Sequence, residues 1–155
     1  MIILYVFLLN IITFSISSEC PIGWINGGPS CYHVSEKRLD WGSSQEYCWS
    51  LGGHLAEFSS LEEENTVDAF LSEDELYWIG LTDFDVEGTW TWQETDQETS
   101  YTNWDPSEPN GGSGQNCVMK WFTGYTGQWN DYYCQNDFAQ GFGPIHALCQ
   151  MSNGK

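Results

Sequence analysis

Six cysteines restrict this chain more tightly than any other feature, because of what precedes them. Residues 1 to 16, MIILYVFLLNIITFSI, are almost wholly apolar and run into SSEC. That arrangement reads as a secretory signal peptide. The segment is short for a bilayer-spanning helix, which needs about 20 apolar residues, so no membrane insertion is expected. Ser15 and Ser17 take the small-residue positions and place the cut after Ser17, giving a leader over residues 1–17 and a secreted, extracellular chain. Such a chain passes through an oxidising compartment, where an even cysteine count implies disulfides. Six cysteines allow roughly 15 connectivities, and spacing alone does not choose among them. Zinc is the competing use, but there is no C-x-x-C pair and His33, His54 and His146 are scattered.

The formal net charge of −18, from 22 acidic and four basic residues, argues against nucleic acid or an anionic membrane surface as a partner, since like charges repel. An acidic extracellular protein attracts cations, and calcium is the abundant hard cation there. Most of these carboxylates read as a solvated surface. Nine tryptophans and 16% aromatic residues exclude the composition of a disordered chain.

Along the chain, CPIGWINGGPSCYHVS reads as a two-strand start around a Gly-Gly-Pro turn. DWGSSQEYCWSLGG predicts a helix capped by Asp40 or Ser43, with Trp41, Tyr47, Cys48 and Leu51 as its apolar stripe and Gly52-Gly53 as its stop. SSLEEENTVDAFLSE predicts a second helix. There Ser60 and Glu63 form a capping box, acids fill the first turn, and Leu61, Val67, Phe70 and Leu71 face one side. From residue 77 strands take over, in YWIGL, GTWTW, NCVMKWF, GQWNDY and HALCQ. The class is therefore α+β in a single domain, with MSNGK as a frayed tail over residues 151–155.

One long irregular stretch, residues 93 to 116, sits inside this domain. A structureless loop of that length counts against an assignment unless it is functional, and a bound metal is one way to hold it. Calcium takes six to eight oxygen ligands from carboxylates, amides and carbonyls. Glu108, Asn110, Gln115, Asn130 and Asp131 offer that mixture.

These residues carry a resemblance. WIGL at 78–81, EPN at 108–110 and WND at 129–131, in order and within this cysteine frame, make residues 20–150 similar to a C-type lectin domain of the long form. The resemblance implies the C-type lectin fold, with two helices packed on small antiparallel sheets and a long calcium-binding loop. It implies the bridges Cys20–Cys31, Cys48–Cys149 and Cys117–Cys134. The longest would stabilise by about 4 to 5 kcal/mol in the chain-entropy model. Trp78 and Trp129 are expected as core packing. In the family, the EPN loop and the WND strand hold one calcium ion that also binds sugar. Carried over, Glu108, Asn110, Gln115, Asn130 and Asp131 are the expected ligands of both metal and carbohydrate, with Pro109 cis. EPN goes with mannose-type sugars (mannose, N-acetylglucosamine, fucose), whereas QPD goes with galactose-type ones.

Two departures bear on the metal. Gln115 stands where mannose-type members commonly carry an acid, which leaves Glu108 and Asp131 as the only carboxylates and implies weaker calcium affinity. Asp83 and Glu87 match an auxiliary calcium site of the family, but Gly111 and Asn116 stand where further acids often occur. That makes Asp83, Glu87 and Asn116 a secondary candidate set.

Three classes of function compete. A hydrolase built on an acid pair such as Glu94 and Asp96 lacks any nucleophile–base constellation, so binding rather than catalysis is expected. A calcium-independent module for protein, ice or mineral is the serious alternative. The favoured reading is a secreted, calcium-dependent lectin for mannose-type glycans on microbial or cell surfaces, as in innate immunity. No collagen-like or coiled-coil segment is present, so any homo-oligomer forms through the lectin domain itself.

Overall fold

The computed structural model describes residues 20–121, 127–135 and 145–153; the expected signal peptide lies outside them. The apolar run YWIGL becomes strand β4 (Leu76–Thr82), and its period-two alternation divides the interior. Tyr77, Ile79 and Leu81 enter one cluster with Tyr32, Phe58, Val67, Trp92, Trp129 and Leu148. Trp78 enters the other, with Trp41, Cys48, Leu55, Met119 and Ile145. The strand is hemmed in on both faces. A Cβ at Gly80 would lie only 2.9 Å from the Leu55 carbonyl oxygen, so glycine is what lets the neighbouring chain approach.

Around β4 the order is β1 (Ile25–Asn26), β2 (Ser30–Leu39), α1 (Trp41–Ser50), β3 (His54–Leu55) and α2 (Leu61–Asp68) before it. After it come β5 (Thr91–Trp92), β6 (Gln97–Glu98), β7 (Cys117–Trp121), β8 (Trp129–Tyr132) and β9 (Ile145–Ser152). The sheet runs β1-β2-β9-β4-β5-β6, with β3 on β9 and the β7–β8 pair hung from β4 through β7. This is the C-type lectin fold, α+β as expected. One pairing departs from the antiparallel expectation: β4 and β9 run parallel, with Tyr77 opposite His146 and Trp78 opposite Ala147.

The three disulfides are Cys20–Cys31, Cys48–Cys149 and Cys117–Cys134. They staple the first hairpin, fasten α1 to β9, and close the β7–β8 hairpin.

Both helices begin at caps visible in the sequence. Asp40 Oδ1 accepts from Ser43 N at 2.7 Å and Ser60 Oγ from Glu63 N at 3.2 Å, each satisfying an otherwise orphaned donor. The capping box is not reciprocal, because Glu63 reaches back to Ser59 N and Oγ. The apolar stripes need correction. Leu51 is 38% and Leu61 53% exposed. The inward face of α1 is Trp41, Ser44, Gln45 and Cys48, and that of α2 includes Glu64 beside Val67.

The tail also needs correction. Met151 and Ser152 belong to β9, opposite Cys31 and Ser30, and Asn153 N donates to the Pro29 carbonyl at 2.8 Å. The strand has partners there, so the ordered domain continues past residue 150.

Glu64 occupies the most consequential interior position. Its carboxylate accepts from Trp129 Nε1 at 2.6 Å, Tyr101 OH at 2.6 Å and Asn103 Nδ2 at 3.2 Å, and it ion-pairs with Lys120, whose side chain is equally buried. Lys120 Nζ also donates to the Gly127 carbonyl at 2.7 Å and lies 3.1 Å from Asp68 Oδ1. A buried charge persists only when paired and fully hydrogen-bonded. Lys120→Met should therefore destabilise the fold by about 3–5 kcal/mol, because it strands Glu64. Leu61→Ala, at an exposed position, should stay within about 0.5 kcal/mol. Urea unfolding of the two variants checks this, and equal midpoints would refute it.

Candidate functional site

Trp129 fixes the site from below. Its side chain is fully buried, with the rings of Trp92, Tyr101 and Trp104 edge-on around it at centroid distances of 5.8, 5.6 and 5.7 Å. Its backbone joins the long loop: Trp129 N donates to Asn103 O at 2.7 Å and Asp105 N to Trp129 O at 2.9 Å. The stretch from 93 to 116 is thus not structureless. It contains β6, this short parallel bridge to β8, and a 3-10 turn at Gly112–Gly114. A bound metal was one expected way to hold it; aromatic packing and backbone hydrogen bonds hold it here.

With Trp129 turned inward, the next residues of β8 carry the polar groups. Asp131 is 2% exposed and receives two backbone donors from the loop, Asn110 N on Oδ1 at 3.0 Å and Gly111 N on Oδ2 at 2.8 Å. Asn130 Nδ2 donates to Glu108 Oε1 at 2.5 Å. The loop shapes itself to meet them. Asp105 Oδ1 accepts from Ser107 N and Oγ at 3.1 and 2.8 Å, Glu108 N donates to Asp105 O, and the Glu108–Pro109 bond is cis. Asn110 Nδ2 donates to Ser107 O at 3.3 Å.

Glu108, Asn110, Asn130 and Asp131 are thereby brought together across two chain segments. Gln115 completes the rim. Its side chain lies against Gly111 so closely that a Cβ at Gly111 would collide with it. Glu108 Oε2 and Gln115 Oε1 are both buried with no hydrogen-bond partner. Buried polar atoms are nearly always satisfied, and two orphaned oxygens at one place suit a cation. Among the described residues no three His, Cys, Asp or Glu cluster. The donor set is therefore two carboxylates with amides, all oxygen, which fits a hard ion such as calcium.

The auxiliary set is only partly assembled. Asp83 is 3% exposed and accepts from Gly88 N at 2.9 Å through Oδ2, while its backbone N donates to Asn116 O at 3.3 Å. Asp83 Oδ1 and Asn116 Oδ1 are likewise buried without partners. Glu87 lies exposed on the turn that follows. Glu94 and Asp96, the acid pair weighed for hydrolysis, are exposed on the turn after β5.

Sequence reasoning missed Glu64, although its spacing with Val67 on α2 carries the signal of an inward acid. It also missed a groove of about 200 Å³ that opens beside the loop, lined by Asp105, Ser107, Glu108, Trp121, Gln128 and Asn130.

The Lectin C-type domain family model matches residues 37–140. The chain belongs to the C-type lectin family. Against C-type lectin domain family 10 member A of Homo sapiens this lectin is 32% identical over 143 residues, 88% of this chain and 41% of the human protein. It therefore spans less than half the length of that relative. The cow C-type carbohydrate-recognition domain of CD23, solved in the presence of GlcNAc2Man3 oligosaccharide, superposes with a TM-score of 0.74 at 32% identity, over 86% of this chain and 96% of that one. A calcium-independent type II antifreeze protein superposes with a TM-score of 0.75 at 25% identity, over 86% and 95%. Fold alone therefore does not fix what this lectin binds, and the site must decide it.

Electrostatics at the site make one prediction. Burial first, then the facing Asp131 carboxylate, then Asp105, push the Glu108 carboxyl from 4.5 up to about 7, against the opposing Asn110 backbone. A carboxyl with a raised folded-state value holds its proton longer in the folded chain than in the unfolded one. Its contribution to stability is full below 4.5 and is lost as pH rises through about 7. In calcium-free solution the melting temperature of the parent protein, measured relative to Glu108→Gln, should fall across that window. A difference that stays flat with pH would contradict this.

Proposed function

We propose that this C-type lectin binds one calcium ion through Glu108, Asn110, Gln115, Asn130 and Asp131, and that the same residues hold mannose-type sugars. The observation that carries the reading is the convergence of two carboxylates and three amides, with orphaned oxygens at Glu108 and Gln115, beside an open groove. When bound, calcium supplies a hard positive centre with open positions for vicinal hydroxyl oxygens.

The chain's own residues do the rest. Asn110 and Asn130 present amide donors, and Glu108 accepts, so a pair of sugar hydroxyls can donate and accept at once. Asp131 already holds the Asn110 and Gly111 backbone N–H groups and keeps further lone pairs for the ion. It both ligates and sets the loop. The Glu-Pro-Asn order puts acceptor and donor on the sides that suit equatorial hydroxyls, as in mannose, N-acetylglucosamine and the equivalent pair of fucose. Two carboxylates balance a divalent charge, and Gln115 in place of a third acid weakens calcium binding without abolishing it. Asp83 and Asn116, with Glu87 nearby, form a weaker candidate for a second ion. The role that follows is recognition of glycans on microbial or cell surfaces, by a secreted chain that binds and does not catalyse.

One observation favours a second reading, calcium-independent binding of protein, ice or mineral. The loop is fastened to Asp131 by backbone hydrogen bonds that need no ion.

A glycan array run with calcium and with chelator separates the two. Binding of mannose, fucose or N-acetylglucosamine that vanishes on chelation supports the lectin reading, whereas chelator-insensitive binding or none favours the second. Gln115→Glu should tighten calcium about tenfold, since ligand charge count tunes affinity; titration calorimetry reads it directly. The double change Glu108→Gln with Asn110→Asp should move preference toward galactose-type sugars. If the array pattern is unaltered, the donor–acceptor account is wrong.

A further inference from the structure

A second groove, of about 580 Å³, shares no lining residue with the one beside the EPN loop. Three parts of the chain build it. The last turn of α1 supplies Trp49, the turn into β3 supplies Gly52, Gly53 and His54, and the end of β9 supplies Met151 and Ser152. Opposite them stand Glu94 and Thr95, on the turn between β5 and β6. Gly52 leaves α1 at a φ of +81°, and a Cβ at Gly53 would lie 2.5 Å from the Gln150 carbonyl oxygen. Bare backbone therefore forms the floor between Trp49 and His54.

The acidic wall is fixed in place. Glu57 Oε1 accepts from Glu94 N at 2.9 Å and Thr95 N at 3.3 Å, and Oε2 accepts from Thr95 Oγ1 at 3.0 Å. Glu57 is itself tied to β9, its N donating to Gln150 Oε1 at 2.7 Å. These bonds use the backbone of Glu94 and leave its carboxylate without a hydrogen bond or ion pair among the described residues. His54 Nδ1 faces the Leu55 carbonyl at 2.8 Å. That oxygen can only accept, so Nδ1 carries the proton and the neutral ring keeps its Nε2 lone pair. Trp49 is 58% exposed, which leaves its indole open to a ligand.

An open indole, a thioether, a free carboxylate, a ring-nitrogen lone pair and the Ser152 hydroxyl meet here, and no Lys or Arg is among the lining residues. Such a set asks for a flat cation with several N–H donors. A guanidinium is flat, stacks on indole and pairs with a carboxylate through two parallel hydrogen bonds. A primary ammonium meets the charge but not the flat face, and a quaternary one has no N–H for His54. An anion is repelled by Glu94 and by a chain of net charge −18. A second copy of this chain does not supply the guanidinium, because its single arginine, Arg38, is already paired with Glu75 at 2.6 Å.

We propose that this groove docks an arginine-bearing segment of another protein, with the guanidinium on the Trp49 indole, its charge paired with Glu94, and its remaining N–H groups on His54 and Ser152. The site uses neither calcium nor any sugar-binding residue, so it stands or falls independently of the reading above. The domain then has two separate faces, one for glycan and one for a basic protein segment.

The test is fluorescence polarisation of the full chain with a labelled Gly-Arg-Gly-Arg-Gly peptide, in chelator at about 0.15 M salt. The same peptide with citrulline for arginine, nearly the same shape without the charge, should bind at least about tenfold more weakly, and the lysine version about threefold more weakly. Glu94→Gln and Trp49→Ala, both at exposed positions, should each weaken the arginine peptide about tenfold. Glu62→Gln removes the same charge from an exposed position on α2 and should change affinity less than about twofold. In NMR spectra the indole N–H signal of Trp49, assigned by its loss in Trp49→Ala, should move with the arginine peptide and stay still with the citrulline one. No binding, equal binding of the arginine peptide and either analogue, or equal weakening by Glu62→Gln and Glu94→Gln overturns the site. Glycan binding in calcium should be unaltered by Trp49→Ala, so these outcomes leave the sugar reading untouched.

Discussion

A carboxylate without water needs every lone pair answered, and Glu64 answers that need with four donors from three parts of the chain. Lys120 comes from β7, Trp129 from β8, and Tyr101 and Asn103 from the long loop. None of these segments adjoins α2 in sequence. The cost of leaving such a group unpaired is several kcal/mol, so the carboxylate acts as a locating pin: it holds the Trp129 indole by its one polar atom while three aromatic rings hold its faces. Since Asn130 and Asp131 follow directly on β8, the position of that indole sets theirs.

Above the pin, the loop is held independently at several points. Backbone bonds join residues 103 and 105 to Trp129, Asp131 takes the amides of Asn110 and Gly111, and Cys117–Cys134 closes the base of the hairpin. The oxygens that face one another at the rim are therefore placed by protein–protein bonds. A site arranged in advance loses less conformational freedom on binding. The arrangement also places two carboxylates face to face, and this repulsion is what a cation relieves and a proton can relieve in its stead.

The sequence made much of this legible, and the parts that stayed hidden share a physical cause. Helix caps, the strand run WIGL and the EPN and WND pair are local signals, readable because each residue's neighbours in sequence are also its neighbours in space. The inward face of α2 was misjudged because apolar periodicity counts Leu61 as core and Glu64 as surface, whereas Glu64 is drawn inward by Lys120, 56 residues away. Likewise the loop looked unsupported because its support comes from Trp129 and Asp131, far along the chain. The strand reaching Ser152 was hidden by the turn-like composition of MSNGK, since only its pairing with β2 shows it to be sheet.

The contact between Gly111 and Gln115 couples two positions that look independent on paper. The Gln115 side chain fills the space that any Cβ at 111 would take, so adding an acid at 111 alone sets the two side chains in collision, and shortening 115 alone leaves the rim without its amide oxygen. A route from this site to a more acidic one must therefore change 115 first or both together. The rim of this lectin is in that sense a ratchet: the order in which substitutions arrive, and not only their identity, determines which sets of oxygen donors descendants of this sequence can reach.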